Sequence, residues 1–408
     1  MVFPGTRPDD NSRTVSAPVI TWLILAFSLL GYIFIGYALS RPDFLLFISV
    51  YLLLFAGYIH LLKRTAFLGP ERSDFQNLEG LSAESATIFL RRTSDLKILI
   101  AAGILFRLAF LFSIPALSDD YFRFVWDGAM WTSGNNPYTI IPSFQLLFSD
   151  EHNAYLMKLY AGMNSPDYFT VYPPVCQFIF GLASELFPGN LSGAVITIRI
   201  FCIAADIGTI YLLQKILFQL NLPKRNVLLY ALNPLVIIEL SGNIHPEAVM
   251  IFFLLMAVYL LLKFFPTVIP DPGHYRAERS GIHPLLQASP QEESGTFVKK
   301  RNMKFILSAI SFALAIASKL IPLIFLPLLI KRLKWRPSIQ YFLVIGGAVV
   351  MLFLPFINKE LITQMGTSIN LYFQKFEFNA GIYYLIRWLG YEANGFDIIQ
   401  KAGPSLAV

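Results

Sequence analysis

Three stretches early in this chain, 17–39, 44–62 and 96–117, are each apolar over about twenty positions, the length a helix needs to cross a bilayer. Further apolar stretches follow at 172–187, 191–217, 226–240, 248–265, 305–321 and 341–357. Lipid offers a backbone no hydrogen-bond partners, so runs of this kind must fold as helices. The expected fold class is an all-α polytopic membrane protein, one multi-span domain over 1–408. Only 14% of its 408 residues are charged, against about 25% in a soluble domain. The formal charge of +6 is no sign of nucleic acid, because Lys and Arg gather in short groups beside apolar runs, where they orient spans. Cys176 and Cys202 lie in apolar surroundings and are too few for a disulfide framework or a metal site. Their expected role is packing.

Asp9 and Asp10 precede the first run, and no small-residue cleavage site follows it, which predicts an uncleaved first span. With a cytoplasmic N-terminus, 63–97, carrying Arg72, Arg91 and Arg92, falls inside, and 115–171 becomes an external loop long enough to expect function of it. The polar stretch 266–303, ending in Lys299, Lys300 and Arg301, reads as a cytoplasmic insert. Another inner end is marked by the basic group from Lys331 to Arg336. If Lys224 and Arg225 are also inside, the polar knot at 239–247 faces outward only when 172–187 re-enters without crossing. The alternative is that Lys224 and Arg225 break the positive-inside rule. Irregular backbone is tolerated at membrane depth where it lines a cavity, which favours re-entry. Residues 402–408 stop without a polar tail or helix stop, so the chain is expected to be a fragment of a longer protein.

The densest polar cluster runs over 118–138. A helix starting after Ser118 puts Asp120, Arg123 and Asp127 on one face and Phe122, Val125, Trp126 and Met130 on the other, an amphipathic helix lying on the membrane surface. Gly134 ends it, and Asn135, Asn136 and Pro137 make a turn that places Tyr138. Asp119 and Asp120 would suit the positive end of a helix dipole, but with Arg123, Asp127 and the Asn-Pro-Tyr turn beside them they are candidate catalytic carboxylates.

Ionisable groups within spans carry a functional expectation of their own. Arg199 and Asp206 share a helix face about 10 Å apart, too far to pair; Arg107, Glu185 or a bound phosphate would serve as partners. An ion pair is expected for Asp206, and a lipid phosphate suits the Arg199 guanidinium. Asn243, His245 and Glu247 are candidate cavity residues, set against an ordinary exposed loop. Lys319 either snorkels or meets a phosphate at the outer surface.

The segments Asp-Asp-Tyr-Phe-Arg-Phe-Val-Trp-Asp-Gly from Asp119, Gly-Asn-Asn-Pro-Tyr from Gly134, Tyr-Pro-Pro from Tyr172, Asn-Pro-Leu from Asn233 and Gly-Asn-Ile-His-Pro-Glu from Gly242 resemble the integral-membrane GT-C glycosyltransferases. The most similar group is the mannosyltransferases that take mannose from a polyprenyl phosphate carrier. The resemblance implies an inverting hexosyl transfer, with mannose the expected sugar, to a lipid or glycan hydroxyl on the external face, amid membrane lipids and without a metal or other cofactor. It places the general base at Asp119 or Asp120, the first preferred as the opening acid of the motif. Arg123, Arg199 and Lys319 become phosphate contacts, and Trp126, Asp127, Asn136, Tyr138, Tyr172, Asn243, His245 and Glu247 cavity or sugar contacts. Many relatives have Asp at the position of Glu247. A secondary transporter would instead show two related halves with broken spans in matching positions, which this sequence lacks. A non-catalytic subunit of a glycosylation complex would keep the fold and tolerate loss of both acids.

Overall fold

The computed structural model describes residues 16–40, 42–66, 83–146, 154–265, 295–367, 390 and 392–393. All its regular elements are helical, with no strand among the described residues. Among the described residues five helices are long and apolar enough to cross a membrane, the architecture of an all-α polytopic membrane protein. Two of them, α1 (Ser16–Tyr37) and α2 (Phe44–Ala66), pack together, and α1 packs against α3 (Ala83–Leu108). Their outer faces display bare apolar side chains, with Leu23 64% and Leu45 78% exposed, as lipid contact requires.

A short helix, α4 (Asp120–Thr132), packs face to face on α7 (Pro174–Leu186). Between them the chain makes two small helices, α5 (Pro142–Leu146) and α6 (Ala154–Gly162). The fit of α4 on α7 depends on Gly128, where a Cβ would collide with the Phe180 carbonyl oxygen, and on Phe124 and Phe180, whose rings stack at 4.6 Å. The expected turn of the charged face toward water is corrected: Arg123 and Asp127 are buried along with Trp126. The C-terminus of α4 is as expected, with Gly134 at φ 80° and Asn135 N–H returning to the Met130 carbonyl, a left-handed glycine cap.

At 13 residues, α7 reaches about 20 Å, short of the ~30 Å of hydrocarbon. The long helix α8 (Leu191–Gln219) follows. Next comes a broken segment: a 3-10 turn Lys224–Val227, α9 (Leu228–Ala231), α10 (Pro234–Val236) and a π-helical turn Ile237–Gly242. The second half of the bundle is α11 (Glu247–Phe264), α12 (Gly295–Ile316), a 3-10 turn Ile321–Phe325, α13 (Leu326–Leu333) and α14 (Trp335–Phe353).

Two expected spans are corrected, each for a visible reason. The run at 226–240 is not one helix. Asn233 Oδ1 caps the Leu235 N–H at 3.0 Å, which leaves the Ala231 carbonyl without its helical donor, and Arg107 supplies one at 2.7 Å. Gly103 allows the approach, since a Cβ there would strike the same carbonyl. The run at 96–117 stops being helical at Leu108. Beyond it the carbonyls of Leu111 and Ser113 are taken by Arg199, which also serves those of Ser241 and Gly242. Asp206 pairs with Arg107 at 2.5 Å, one of the partners expected for it. Each buried arginine thus satisfies backbone that a continuous helix would satisfy itself.

Most of the insert expected at 266–303 lies outside the described residues, as do 67–82 and 402–408; residues 295–303 form the first turns of α12. Cys176 and Cys202 are buried free thiols.

Candidate active site

Five separate pieces of chain meet at one end of the bundle. The first is the start of α4. Ser118 Oγ accepts the Asp120 N–H at 3.3 Å, and Asp119 takes the N-cap position without a side-chain cap bond, so the helix begins one residue later than its sequence suggests. Asp120 Oδ1 accepts a hydrogen bond from Asn164 Nδ2 at 2.7 Å, and Oδ2 one from the Tyr172 hydroxyl at 3.4 Å. His245 Nε2 stands 3.9 Å from the same Oδ2.

His245 is aimed by unusual backbone. The π-helical turn widens the chain at Ile237–Gly242, a feature frequent at functional sites. Two residues later the fully buried Ile244 has φ 52°, a strained left-handed conformation for a β-branched side chain. Together they fold the chain back so that His245 Nδ1 meets Glu239 Oε2 at 3.1 Å, while Asn243 Nδ2 donates to the same carboxylate at 3.2 Å. Burial works against a charged His245, but the Glu239 hydrogen bond and the charges of Glu247, Glu239 and Asp120 outweigh it, and its pKa is raised. Glu247, the first residue of α11, binds Lys319 Nζ through Oε1 at 2.6 Å. Its Oε2 is buried with no partner. The Lys319 ammonium lies 5.6 Å from the Tyr172 ring centre.

A second layer braces this one. Arg123 donates to Asp127 at 2.7 Å and to the carbonyls of Ser165 and Tyr168 at 3.0 and 2.8 Å. Asp127 in turn accepts from Gln177 Nε2, which also reaches the Tyr172 carbonyl, and the Tyr138 hydroxyl donates to that carbonyl at 2.7 Å. Asn136 ties the turn to the Phe356 carbonyl at 2.8 Å. These residues fix the loop that presents Asn164 and Tyr172.

Of the candidates from sequence, the structure brings together Asp120, Tyr172, Asn243, His245, Glu247 and Lys319. It places Arg123, Asp127, Asn136 and Tyr138 behind them, packs Trp126 in the core, and leaves Arg199 on its four carbonyls. Glu239 and Asn164 are additions to the candidate list. Glu239 carried a signal, four residues before Asn243 in the polar knot; Asn164 carried none. Among the described residues no group of three or more His, Cys, Asp or Glu is arranged to hold a metal ion.

A carboxylate held by neutral donors, an imidazole linking it to a second carboxylate, and an ammonium paired to a third form an acid–base site with a cation in reach. Set on an apolar helical bundle, it is an arrangement that a membrane-bound enzyme of group transfer could use. A family model for alpha-(1->6)-mannopyranosyltransferase, N-terminal domain, matches residues 46–334, which include every member of the cluster. The chain belongs to this family of GT-C type mannosyltransferases. It is accordingly a glycosyltransferase whose chemistry is mannosyl transfer. No curated protein and no solved structure matches the chain significantly.

Proposed function

We propose that the chain moves mannose from a polyprenyl-phosphate carrier to a lipid or glycan hydroxyl, with inversion, at the external face of the membrane. The carrying observation is Asp120, whose two oxygens are oriented by Asn164 and Tyr172 while His245 faces it. In this reading an Asp119–Asp120 carboxylate takes the acceptor proton, and Asp120 stands among Asn164, Tyr172 and His245. The acceptor oxygen forms its bond to the sugar anomeric carbon as the bond from that carbon to the carrier phosphate breaks, and the phosphate leaves with the electron pair. Lys319, exchanging Glu247 for the departing phosphate, neutralises the growing charge. The unpartnered Glu247 Oε2 accepts a sugar hydroxyl, and Asn243 and His245 line the same space. The family's name specifies an α-(1->6) linkage; inversion then calls for a β-linked donor and a primary hydroxyl acceptor.

The external placement is supported by charge. Lys63 and Arg64 end α2, Lys263 ends α11, Lys224 and Arg225 follow α8, and Lys331 and Arg332 end α13. In α11 the cluster sits at the start and the lysine at the far end, and the positive-inside rule puts such ends in the cytoplasm. The short α7 supports a segment that does not cross the membrane.

The test is transfer of radiolabelled mannose from a polyprenyl phosphate to an α-mannoside acceptor by the chain in proteoliposomes, beside Asp119→Asn and Asp120→Asn. Loss of transfer with retained donor binding in Asp120→Asn is expected. Full turnover in both variants would falsify the carboxylate assignment.

A further inference from the structure

Glu239 has no part in the transfer steps proposed above, yet it holds His245 twice. Its backbone carbonyl accepts the His245 N–H at 3.3 Å. Its carboxylate Oε2 accepts from the ring Nδ1 at 3.1 Å, and from Asn243 Nδ2 at 3.2 Å. A carboxylate oxygen bonds Nδ1 only where Nδ1 carries the hydrogen, which in a neutral imidazole leaves Nε2 bare. That bare nitrogen is the one 3.9 Å from Asp120 Oδ2. The gap is about 1 Å beyond hydrogen-bond range, and contacts of this length tighten as reactants bind.

The surroundings suit a ring that gains and loses a proton. The charged groups facing it are Glu239 from its own turn, Asp120 from α4 and Glu247 from α11, the last paired with Lys319; α8 brings Cys202 beside the His245 carbonyl. Burial opposes the charged ring, but the three carboxylates outweigh it, so His245 binds a proton far more tightly than an ordinary carboxylate does. Along the line Asp120, His245, Glu239 the last side chain is the most open, 39% exposed against 31% and 26%. We infer that Glu239 is a positioning residue for transfer: it holds His245 in the Nδ1–H form, so that Nε2 takes from Asp120 the proton that the carboxylate removes from the acceptor. In this step the Asp120 O–H bond breaks as Nε2–H forms, and Asp120 is again a carboxylate. The imidazolium releases a proton to water through the open Glu239 carboxylate, and exchange with water returns the ring to its Nδ1–H form. The inference rests on the carboxylate-assisted transfer proposed above and names what resets its base.

The test pairs kinetics with spectroscopy on the full chain in detergent. With a polyprenyl-phosphate mannose and an α-mannoside acceptor, Glu239→Gln keeps an oxygen for Nδ1–H and should lower kcat about 10-fold. Glu239→Ala frees the ring and should lower it about 100-fold, both at unchanged donor KM. Because the step needs a bare Nε2, kcat rises with pH as His245 loses its charge, and Glu239→Gln should move that rise to lower pH. In a His245→Ala background Glu239→Gln should add no further loss. A rise at the same pH in both forms, or an undiminished effect of Glu239→Gln without the imidazole, overturns the inference. Nitrogen NMR of histidine-labelled protein reads the ring without turnover, with His245→Ala identifying its signal among the five histidines. The Nδ1–H form is expected, and the Nε2–H form also overturns the inference. An Nδ1–H ring without transfer from any polyprenyl-phosphate mannose refutes the donor reading and leaves the hold of Glu239 on His245 standing.

Discussion

Arg107 donates through Nε to Asp206 Oδ2 at 2.5 Å, with both side chains fully buried. The same guanidinium reaches the Ala231 carbonyl, so the pair joins α3, α8 and the break after α9. Removing one partner strands a buried charge, and Arg107→Ala or Asp206→Ala should lose about 3–5 kcal/mol of stability. The double change Arg107→Met with Asp206→Leu should recover only part, since the Ala231 carbonyl still lacks a donor. Thermal unfolding in one detergent, followed by circular dichroism, checks both.

Arg199 supplies four carbonyls from two irregular segments. A lysine keeps the charge but replaces a planar fork by one point. Arg199→Lys should therefore destabilise by about 2–4 kcal/mol through unpaired carbonyls, with little change in the donor KM of the surviving fraction. A weakened donor KM at unchanged stability would return Arg199 to the phosphate role.

Asp120→Asn should lower kcat by about 10²–10⁴, the range for a general base, without altering the fold. Asn164→Ala, which only frees one carboxylate oxygen, should lower kcat by about tenfold. The two measurements together separate a reacting carboxylate from a merely structural one.

His245 lies in the loop before α11, outside the spans. Its pKa is raised above the ordinary 6.5, so its charged form is favoured by folding. The stabilisation is fully present below about pH 6.5 and is lost as pH rises through the higher folded value. Glu239→Gln removes the largest contribution that favours the charge, and should move this loss toward lower pH. Unfolding temperature measured from pH 5.5 to 9 in both forms reads the shift, and superimposed profiles would defeat the assignment.

Gly128 sits where α4 crosses α7, and Gly128→Ala drives a methyl into the Phe180 carbonyl. Overpacking of this kind costs about 1–3 kcal/mol. Because α4 carries Asp120, a loss of transfer larger than the loss of folded protein is expected, measurable by normalising turnover to folded protein after gel filtration.

Apolar length made the spans legible in the sequence, and the dense motif from Asp119 marked the end of the bundle where the chemistry gathers. Helical periodicity said less about α4. It sorted Arg123 and Asp127 onto a polar face, but that face meets Gln177 and the carbonyls of a loop some forty residues away, contacts no local pattern records. The breaks at Leu108 and Ala231 were hidden for a similar reason. A run such as 226–240 is apolar throughout, and what lets it break is an arginine more than a hundred residues earlier in the chain. Asn164 was invisible because a loop asparagine carries no periodic signal, whereas Glu239 and Asn243 showed their spacing but not the π-helical turn that converges them with His245.

The 29 residues of α8 make a rod of about 44 Å, longer than the ~30 Å hydrocarbon layer it crosses. Cys202, beside the His245 carbonyl, marks the depth of the cluster along it, about 26 Å from the Gln219 end. Bilayer thickness thereby becomes a ruler for this enzyme. With the lipid-linked donor proposed above, the cluster comes within a few ångström of the far edge of a ~30 Å hydrocarbon layer that begins at the Gln219 end, and a bilayer of another thickness would shift the acids relative to the carrier phosphate.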